Sequence, residues 1–181
     1  QLAQERFAER LQKVLPASTT KVMTALLVLE RKNLDDIVVI SARAANALPS
    51  KIEVRPGEKY RVRDLLYAIL LNSANDASVA LAESVAGSEA KFVQMMNERA
   101  AALGMKSTKF ASVHGLPPSE GQQPDVTTAR DFSRLCLELC KHPDVFKYTA
   151  TQTRGFRGDT FGMQNHNRML WSFPGCDGFK T

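Results

Sequence analysis

The chain has 181 residues, 44% of them hydrophobic, which is enough material for one domain with a substantial buried core. Its net charge of +5 is modest, and the basic residues are dispersed among acids and not interleaved with aromatic residues, so the sequence argues against nucleic-acid binding. No apolar run approaches the ~20 residues that a membrane-spanning helix requires.

Hydrophobic periodicity and turn residues predict a mainly helical chain with a few short strands. In chain order, the predicted elements are an amphipathic helix in 1–14, a helix from Ser18 with a strongly buried face, a strand at 37–40, a hairpin of 52–55 and 59–62 around Pro56-Gly57, helices at 64–71, 77–86 and 89–103, and a helix at 129–139. Residues 105–126 have the glycines and prolines of a loop, and the chain from residue 148 is expected to be extended.

Three residues mark helix ends in this prediction. Gly104 is placed to stop the helix before it in a left-handed conformation. Thr128 and Asp131 have the spacing of a capping box, which predicts that a helix begins directly after Thr128.

The most informative local pattern is Ser18-Thr-Thr-Lys21. A serine hydroxyl becomes a good nucleophile only when a neighbouring group takes its proton. On a helix, Ser18 and Lys21 share one face. Burial or a second cation would destabilise the lysine ammonium, so that the neutral amine is available to accept the serine proton. Alone, the pattern favours an ordinary helix cap and a solvated lysine over a catalytic pair. It also recurs at Ser88 and Lys91, so the pattern by itself proves nothing.

Two further polar pieces follow in the chain. Ser73 and Asn75 interrupt two apolar helices, where their side chains are well placed to line a cleft, although Ser73 would also serve as an ordinary cap. Lys180 and Thr181 offer a cation and a hydroxyl for a carboxylate, and Lys180 is the candidate second cation beside Lys21.

The three pieces, in this order and with their flanking residues, resemble the serine D-alanyl-D-alanine carboxypeptidases of the S11 peptidase family, the low-molecular-weight penicillin-binding proteins. The matching stretches are PASTTKVMTAL (16–26), LYAILLNSANDA (66–77), FASVHGL (110–116), TTARD (127–131) and NHNRMLWSFPGCDGFKT (165–181). Together they cover the chain from about residue 15 to its last residue.

The resemblance implies a role for each matching position. Ser18 would be the acylated nucleophile, with its backbone N–H as one oxyanion donor, and Lys21 would be its base. Ser73 and Asn75 would form the second motif, and Lys180 with Thr181 would bind the terminal carboxylate of the substrate. The implied activity is removal of the terminal D-Ala from peptidoglycan stem peptides, with inhibition by β-lactams.

The resemblance also implies an α+β fold of the β-lactamase and DD-peptidase type. The family's third motif is Lys-Thr-Gly, whereas this sequence stops at Thr181, and its opening residues do not look like the family's first strands. We therefore expect residues 1–181 to form one DD-peptidase domain that is incomplete at both ends, in which the helical lobe dominates because most strands of the central antiparallel sheet are missing.

The residues bear on metal and cofactor binding, whereas the cellular compartment follows from the resemblance. The three cysteines and three histidines lack ligand spacing, so we expect no metal site and no cofactor, and cysteines buried as small hydrophobic groups. The chain opens on Gln1, as in a processed or trimmed product. By resemblance the protein is extracytoplasmic, with any membrane anchor in segments outside this sequence.

Other functions remain open at this point. A D,D-endopeptidase would use the same residues on cross-links, and an inert fragment or peptidoglycan-binding module would keep the shape without turnover. A class A β-lactamase fits poorly, because its Glu-x-x-Leu-Asn stretch would place glutamate where Ala68 stands before Leu71-Asn72.

Overall fold

The computed structural model describes residues 12–180 of the chain. Helices dominate this range. They are α1 (Lys21–Arg31), α2 (Ala42–Ala45), α3 (Val62–Leu71), α4 (Asn75–Ala86), α5 (Glu89–Ala102), α6 (Ala129–Leu139), α7 (Val145–Thr149) and α8 (Met169–Ser172), and a 3₁₀ turn at Ala17–Thr20 precedes α1.

The strands form three separate antiparallel pairs within residues 12–180. They are β1 (Lys13–Val14) with β4 (Thr127–Thr128), β2 (Ile37–Val39) with β3 (Lys59–Arg61), and β5 (Thr153–Phe156) with β6 (Phe161–Gln164). The described part of the chain is therefore a helical assembly bordered by short strand pairs, as expected for a helix-dominated portion of an α+β fold.

The core is built around α1. Its residues from Lys21 to Val28 are all buried, and α3, α4 and α6 pack against it. Helix α3 contributes Leu65, Leu66 and Ile69, none of which retains measurable solvent exposure. Because each fully buried side chain of this kind contributes about 1.5–3 kcal/mol, α1 is held firmly in place. The residues at its first turn are positioned by this packing.

The predicted hairpin of 52–55 and 59–62 is wrong. Lys59–Arg61 is a strand, but it pairs with Ile37–Val39. The backbone N–H groups of Ile52 and Val54 donate instead to the buried carboxylate of Asp76, at 3.1 and 3.3 Å. A side chain from a distant helix thus takes the donors that a strand partner would have used.

Helix boundaries follow the sequence closely. Gly104 is left-handed with φ of 69° just after α5, as predicted. The Thr128 hydroxyl accepts from the Asp131 N–H at 3.1 Å, so the predicted cap is present. The reciprocal half of the capping box is absent, because the Asp131 carboxylate accepts from Ser107 N–H and the Thr108 hydroxyl.

Three other predictions need correction. The chain from residue 148, expected to be extended, contains the helix α8 (Met169–Ser172) as well as the pair β5 and β6. The helix predicted for 1–14 lies mostly outside the described residues, and its last two positions, Lys13–Val14, are a strand. The cysteines are not uniformly buried, since Cys140 is exposed and Cys136 and Cys176 are partly exposed. Helix α6 buries only one side, through Leu135 and Leu139, which leaves Cys136 and the following Cys140 at the edge of the core. Among the helices of residues 12–180, none has the length and apolar character that crossing a membrane demands.

Candidate active site

Ser18 lies in the 3₁₀ turn that leads directly into α1. Its side chain is partly exposed, whereas Lys21, at the start of the α-helix, is completely buried. The Ser18 carbonyl accepts from the Lys21 N–H, which makes the turn continuous with the helix. Ser18 therefore faces solvent at the end of a rigid, buried helix, three residues before a lysine on the same helical face.

A distant loop supports this turn. The Thr20 hydroxyl donates to Asp125 at 2.7 Å, and the same carboxylate accepts from the N–H groups of Ala111 and Ser112. Gly115, with φ of 82°, packs so closely on the turn that a Cβ there would collide with the Ala17 carbonyl. The loop at 111–125 and the serine-bearing turn are thus held together by hydrogen bonds and close packing.

The Lys21 amine is held in a dry environment. Its Nζ donates to the His114 carbonyl at 2.7 Å. The pKa of Lys21 is lowered from 10.5 to about 7, chiefly by burial and further by the positive charge of Lys180, while the negative charge of Asp125 opposes the shift. A substantial fraction of this amine is therefore neutral near pH 7, as a general base requires.

Lys180 lies in the same region, because its charge acts on Lys21. It is 7% exposed, and burial lowers its pKa to about 8. The Asn167 side-chain amide donates to the Phe179 carbonyl at 3.4 Å, which anchors the segment that carries Lys180. Thr149 fixes the same segment through a 2.6 Å bond to the Asp177 carbonyl. Thr181 lies outside the described residues.

Ser73 and Asn75 occupy the break between α3 and α4. Ser73 has a left-handed backbone with φ of 57°, a conformation that costs a non-glycine residue free energy and is concentrated at functional sites. It does not cap α4, whose first turn follows Ala74 without a side-chain cap. Asn75 donates to the Leu48 carbonyl at 2.9 Å.

Both side chains retain unused hydrogen-bonding capacity. The Ser73 hydroxyl and the Asn75 Oδ1 are buried, and neither has a hydrogen-bond partner among residues 12–180. An unsatisfied buried polar atom costs about 1–3 kcal/mol. Such atoms are expected where a substrate supplies the missing partner.

The second Ser-x-x-Lys pattern is structural. The Ser88 hydroxyl accepts from the Lys91 N–H at 3.3 Å and caps α5, and the Lys91 side chain is exposed. The pattern around Ser18 differs because its lysine is buried.

Some residues around the candidate site could not be identified from the sequence. Asp76 organises the chain before the second motif, and His166 is close enough to Lys180 and Lys21 for their charges, after burial, to lower its pKa. Asn167 supports the segment of Lys180 directly, whereas Asn165 donates to the carbonyl of Thr149. The stretches that contain them were visible as family landmarks, but their contacts join distant parts of the chain.

The residues brought together are suited to acyl transfer. A partly exposed serine is followed by a buried, readily deprotonated lysine, with a second buried cation close by. Within residues 12–180, no three His, Cys, Asp or Glu side chains are arranged to hold a metal ion. The arrangement supports nucleophilic catalysis by a serine with a lysine base.

Comparison with known proteins agrees with this geometry. The family model described as peptidase S11, D-alanyl-D-alanine carboxypeptidase, matches residues 8–181. The D-alanyl-D-alanine carboxypeptidase DacF of Bacillus subtilis is 39% identical over 178 residues, which cover 94% of this chain and 45% of the relative. The D-alanyl-D-alanine endopeptidase of Pseudomonas aeruginosa is 34% identical over 160 residues, covering 85% of this chain and 50% of the relative.

A solved structure shows the same fold. Penicillin-binding protein D2 of Listeria monocytogenes, in its ampicillin-bound form, superposes with a TM-score of 0.77 at 32% identity, covering 96% of this chain and 70% of that structure. The chain spans about half the length of the two curated relatives. Because the family model matches nearly the whole chain, this protein belongs to the S11 peptidase family of D-alanyl-D-alanine carboxypeptidases.

Proposed function

We propose that the protein is a serine D,D-carboxypeptidase that removes the terminal D-Ala from peptidoglycan stem peptides through an acyl-enzyme on Ser18. The observation that carries this proposal is the buried Lys21 amine, whose pKa is lowered to about 7 beside the serine-bearing turn. A solvated lysine would be almost fully protonated at that pH and would not accept the serine proton.

Each step uses a residue already described. Lys21 Nζ takes the Ser18 proton as Oγ attacks the carbonyl carbon of the penultimate D-Ala, and the Ser18 backbone N–H stabilises the resulting oxyanion. The C–N bond then breaks as Ser73 gives its proton to the leaving amine of D-Ala and takes the proton held by Lys21 in its place, and the acyl group stays on Oγ. Water hydrolyses this ester and regenerates the serine.

Substrate binding uses the remaining residues. The free Oδ1 of Asn75 suits a substrate N–H, and its amide group helps to orient the peptide. Lys180 and Thr181 bind the terminal carboxylate. β-Lactams present a strained amide in place of the same bond, so they would acylate Ser18 and block it.

The decisive experiment combines covalent labelling with product release. The full-length protein should bind a fluorescent penicillin and release D-Ala from a peptide that ends in D-Ala-D-Ala, and Ser18→Ala should lose both. Ser88→Ala, which alters the structural copy of the motif, should retain both. Labelling of Ser18→Ala at the wild-type rate would refute the assignment.

A related activity has separate support. The Pseudomonas aeruginosa relative is named an endopeptidase. Cleavage of cross-links would use the same serine on a branched substrate, so the two activities are separated by comparing a linear pentapeptide with a cross-linked dimer. Faster turnover of the dimer would assign the protein as a D,D-endopeptidase. Binding of both without acylation would assign it as an inert binding module.

The substrate also implies a location. Because peptidoglycan lies outside the cytoplasmic membrane, we propose an extracytoplasmic protein. We further propose that residues 1–181 belong to a single DD-peptidase domain, as the continuous family match suggests.

A further inference from the structure

A cleft of about 750 Å³ lies beside the candidate active site. We call it the hairpin cleft; its walls include Asn72, Gly162, Gln164, His166, Arg168 and Trp171. Its volume falls within the roughly 300–1,000 Å³ typical of small-molecule sites. None of the roles proposed above uses this cleft.

The hairpin cleft is continuous with the catalytic residues at two points. Asn72 directly precedes Ser73. His166, which also lines the cleft, lies within electrostatic reach of both Lys180 and Lys21. A peptide bound with its reactive end at Ser18 can therefore place another part of its length in the cleft.

The lining is suited to an acidic ligand. None of the residues that line the cleft is acidic. The Arg168 guanidinium is exposed and forms no ion pair or hydrogen bond within residues 12–180. Trp171, 45% exposed, lies in α8 three residues after Arg168 and also lines the cleft. A guanidinium binds a carboxylate in a planar, bidentate manner, and a neighbouring indole covers an aliphatic chain.

We propose that the hairpin cleft is a subsite for the acidic part of the stem peptide, upstream of its D-Ala-D-Ala end. Arg168 pairs with a free carboxylate, and Trp171 packs on the carbon chain that bears it. This inference rests on the proposed function, because it assumes a peptide substrate with its D-Ala-D-Ala end at Ser18. Arg168 and Trp171 then determine which stem peptides are preferred.

The test uses two peptides that end in D-Ala-D-Ala and differ only upstream, where one has a free carboxylate and the other its neutral amide. Wild-type protein should show a higher kcat/KM for the acidic peptide. Arg168→Ala should lower this preference about tenfold, as expected for loss of one charge-assisted contact. Arg130→Ala, which removes an exposed arginine from α6, should keep the wild-type preference.

Two further variants probe the shape of the cleft. A Cβ at Gly162 would meet no heavy atom within 4 Å, so Gly162→Leu extends into the cleft without a backbone clash. It should raise KM for the acidic peptide more than for the neutral one. Trp171→Ala should weaken binding of both peptides, whereas Phe173→Ala removes a neighbouring exposed aromatic outside the cleft and should have no such effect.

Binding to the Ser18→Ala protein separates this inference from the proposed function. Calorimetry with this variant should show tighter binding of the acidic peptide, and adding Arg168→Ala should remove the difference. Equal affinities would overturn the subsite, while penicillin labelling of wild-type protein would still support the activity. A binding preference without any labelling would support the subsite and refute the proposed chemistry.

Discussion

Lys21 shows how one residue connects chemistry with stability. Its side chain has no measurable solvent exposure, and its amine donates a hydrogen bond to the His114 carbonyl. Keeping an amine in such a place disfavours its charged form. The same feature that makes Lys21 a base therefore opposes folding near neutral pH.

This reasoning predicts a pH-dependent stability. The folded-state pKa of Lys21 is about 7 against 10.5 in a solvated lysine, so between these values the unfolded chain binds more protons. The free energy of unfolding should then rise with pH across this window, by about 1.4 kcal/mol for each unit of pKa difference at most. Lys21→Met removes this contribution, so its stability should exceed that of wild type most at pH 7 and least near pH 10.

Urea denaturation at several pH values measures this difference. Lys180, whose pKa is also lowered, keeps a weaker slope of the same sign in the variant. Lys91→Met, at an exposed position, is the control and should follow wild type. An unchanged slope in Lys21→Met would show that the Lys21 amine titrates as it would in water.

The sequence pointed to these residues but not to their surroundings. Ser18 and Lys21 were indicated by their spacing at the start of an apolar helix, and the structure places the lysine in the core as a base requires. The contact of Lys21 with His114 joins positions 93 residues apart. No local periodicity encodes such a contact, because it depends on how the elements pack.

At the scale of elements, the junction between α3 and α4 organises the chain before it. Asp76 accepts from the N–H groups of Ile52, Val54 and Ala77. Next to it, the Asn75 N–H donates to the Ser50 carbonyl at 2.7 Å. The segment at 50–54 and the second motif therefore hold each other in position.

Removing the Asp76 carboxylate should disturb both the segment at 50–54 and the second motif. Asp76→Ala leaves buried N–H groups without an acceptor, which we expect to lower the free energy of unfolding by about 1–3 kcal/mol per lost partner. Penicillin acylation should slow as well, because Asn75 loses its support. Asp144→Ala, which breaks an exposed ion pair with Lys147, should change neither quantity measurably.

The same junction explains the main error in the predicted secondary structure. Helices α3 and α4 follow from apolar periodicity alone, and their bounds agree with the prediction within a few residues. The predicted hairpin failed because the partner of residues 52–54 is a carboxylate and not a strand. Turn chemistry at Pro56-Gly57 fixes where the chain turns, but not which strand Lys59–Arg61 joins.

Across the whole molecule, Arg99 links three helices. From α5 its guanidinium contacts Glu30 of α1 at 2.6 Å and Glu138 of α6 at 2.8 Å. All three side chains are about one-fifth to one-quarter exposed. Because the three side chains are partly buried, we expect these ion pairs to contribute more to stability than an ordinary surface ion pair.

Arg99→Met should therefore destabilise the protein by about 1–2 kcal/mol, since two charge-assisted contacts are lost while the aliphatic stem is retained. Part of the loss should disappear in 1 M salt, which screens the wild-type pairs. Arg43→Met breaks a single exposed contact to Glu89 and should cost less than half as much. Chemical denaturation at low and high salt compares the two, and equal losses would contradict a special role for Arg99.

The close fit of Gly115 against the Ala17 carbonyl has a consequence for how activity is acquired. These two positions are far apart along the polypeptide, so a chain with α1 already formed still lacks the scaffold beneath its reactive hydroxyl until the later loop docks. During refolding, the protein would therefore gain the ability to be acylated by penicillin only when the loop at 111–125 has packed on the turn. The rate of this gain would be slower than the rate at which helical structure first forms.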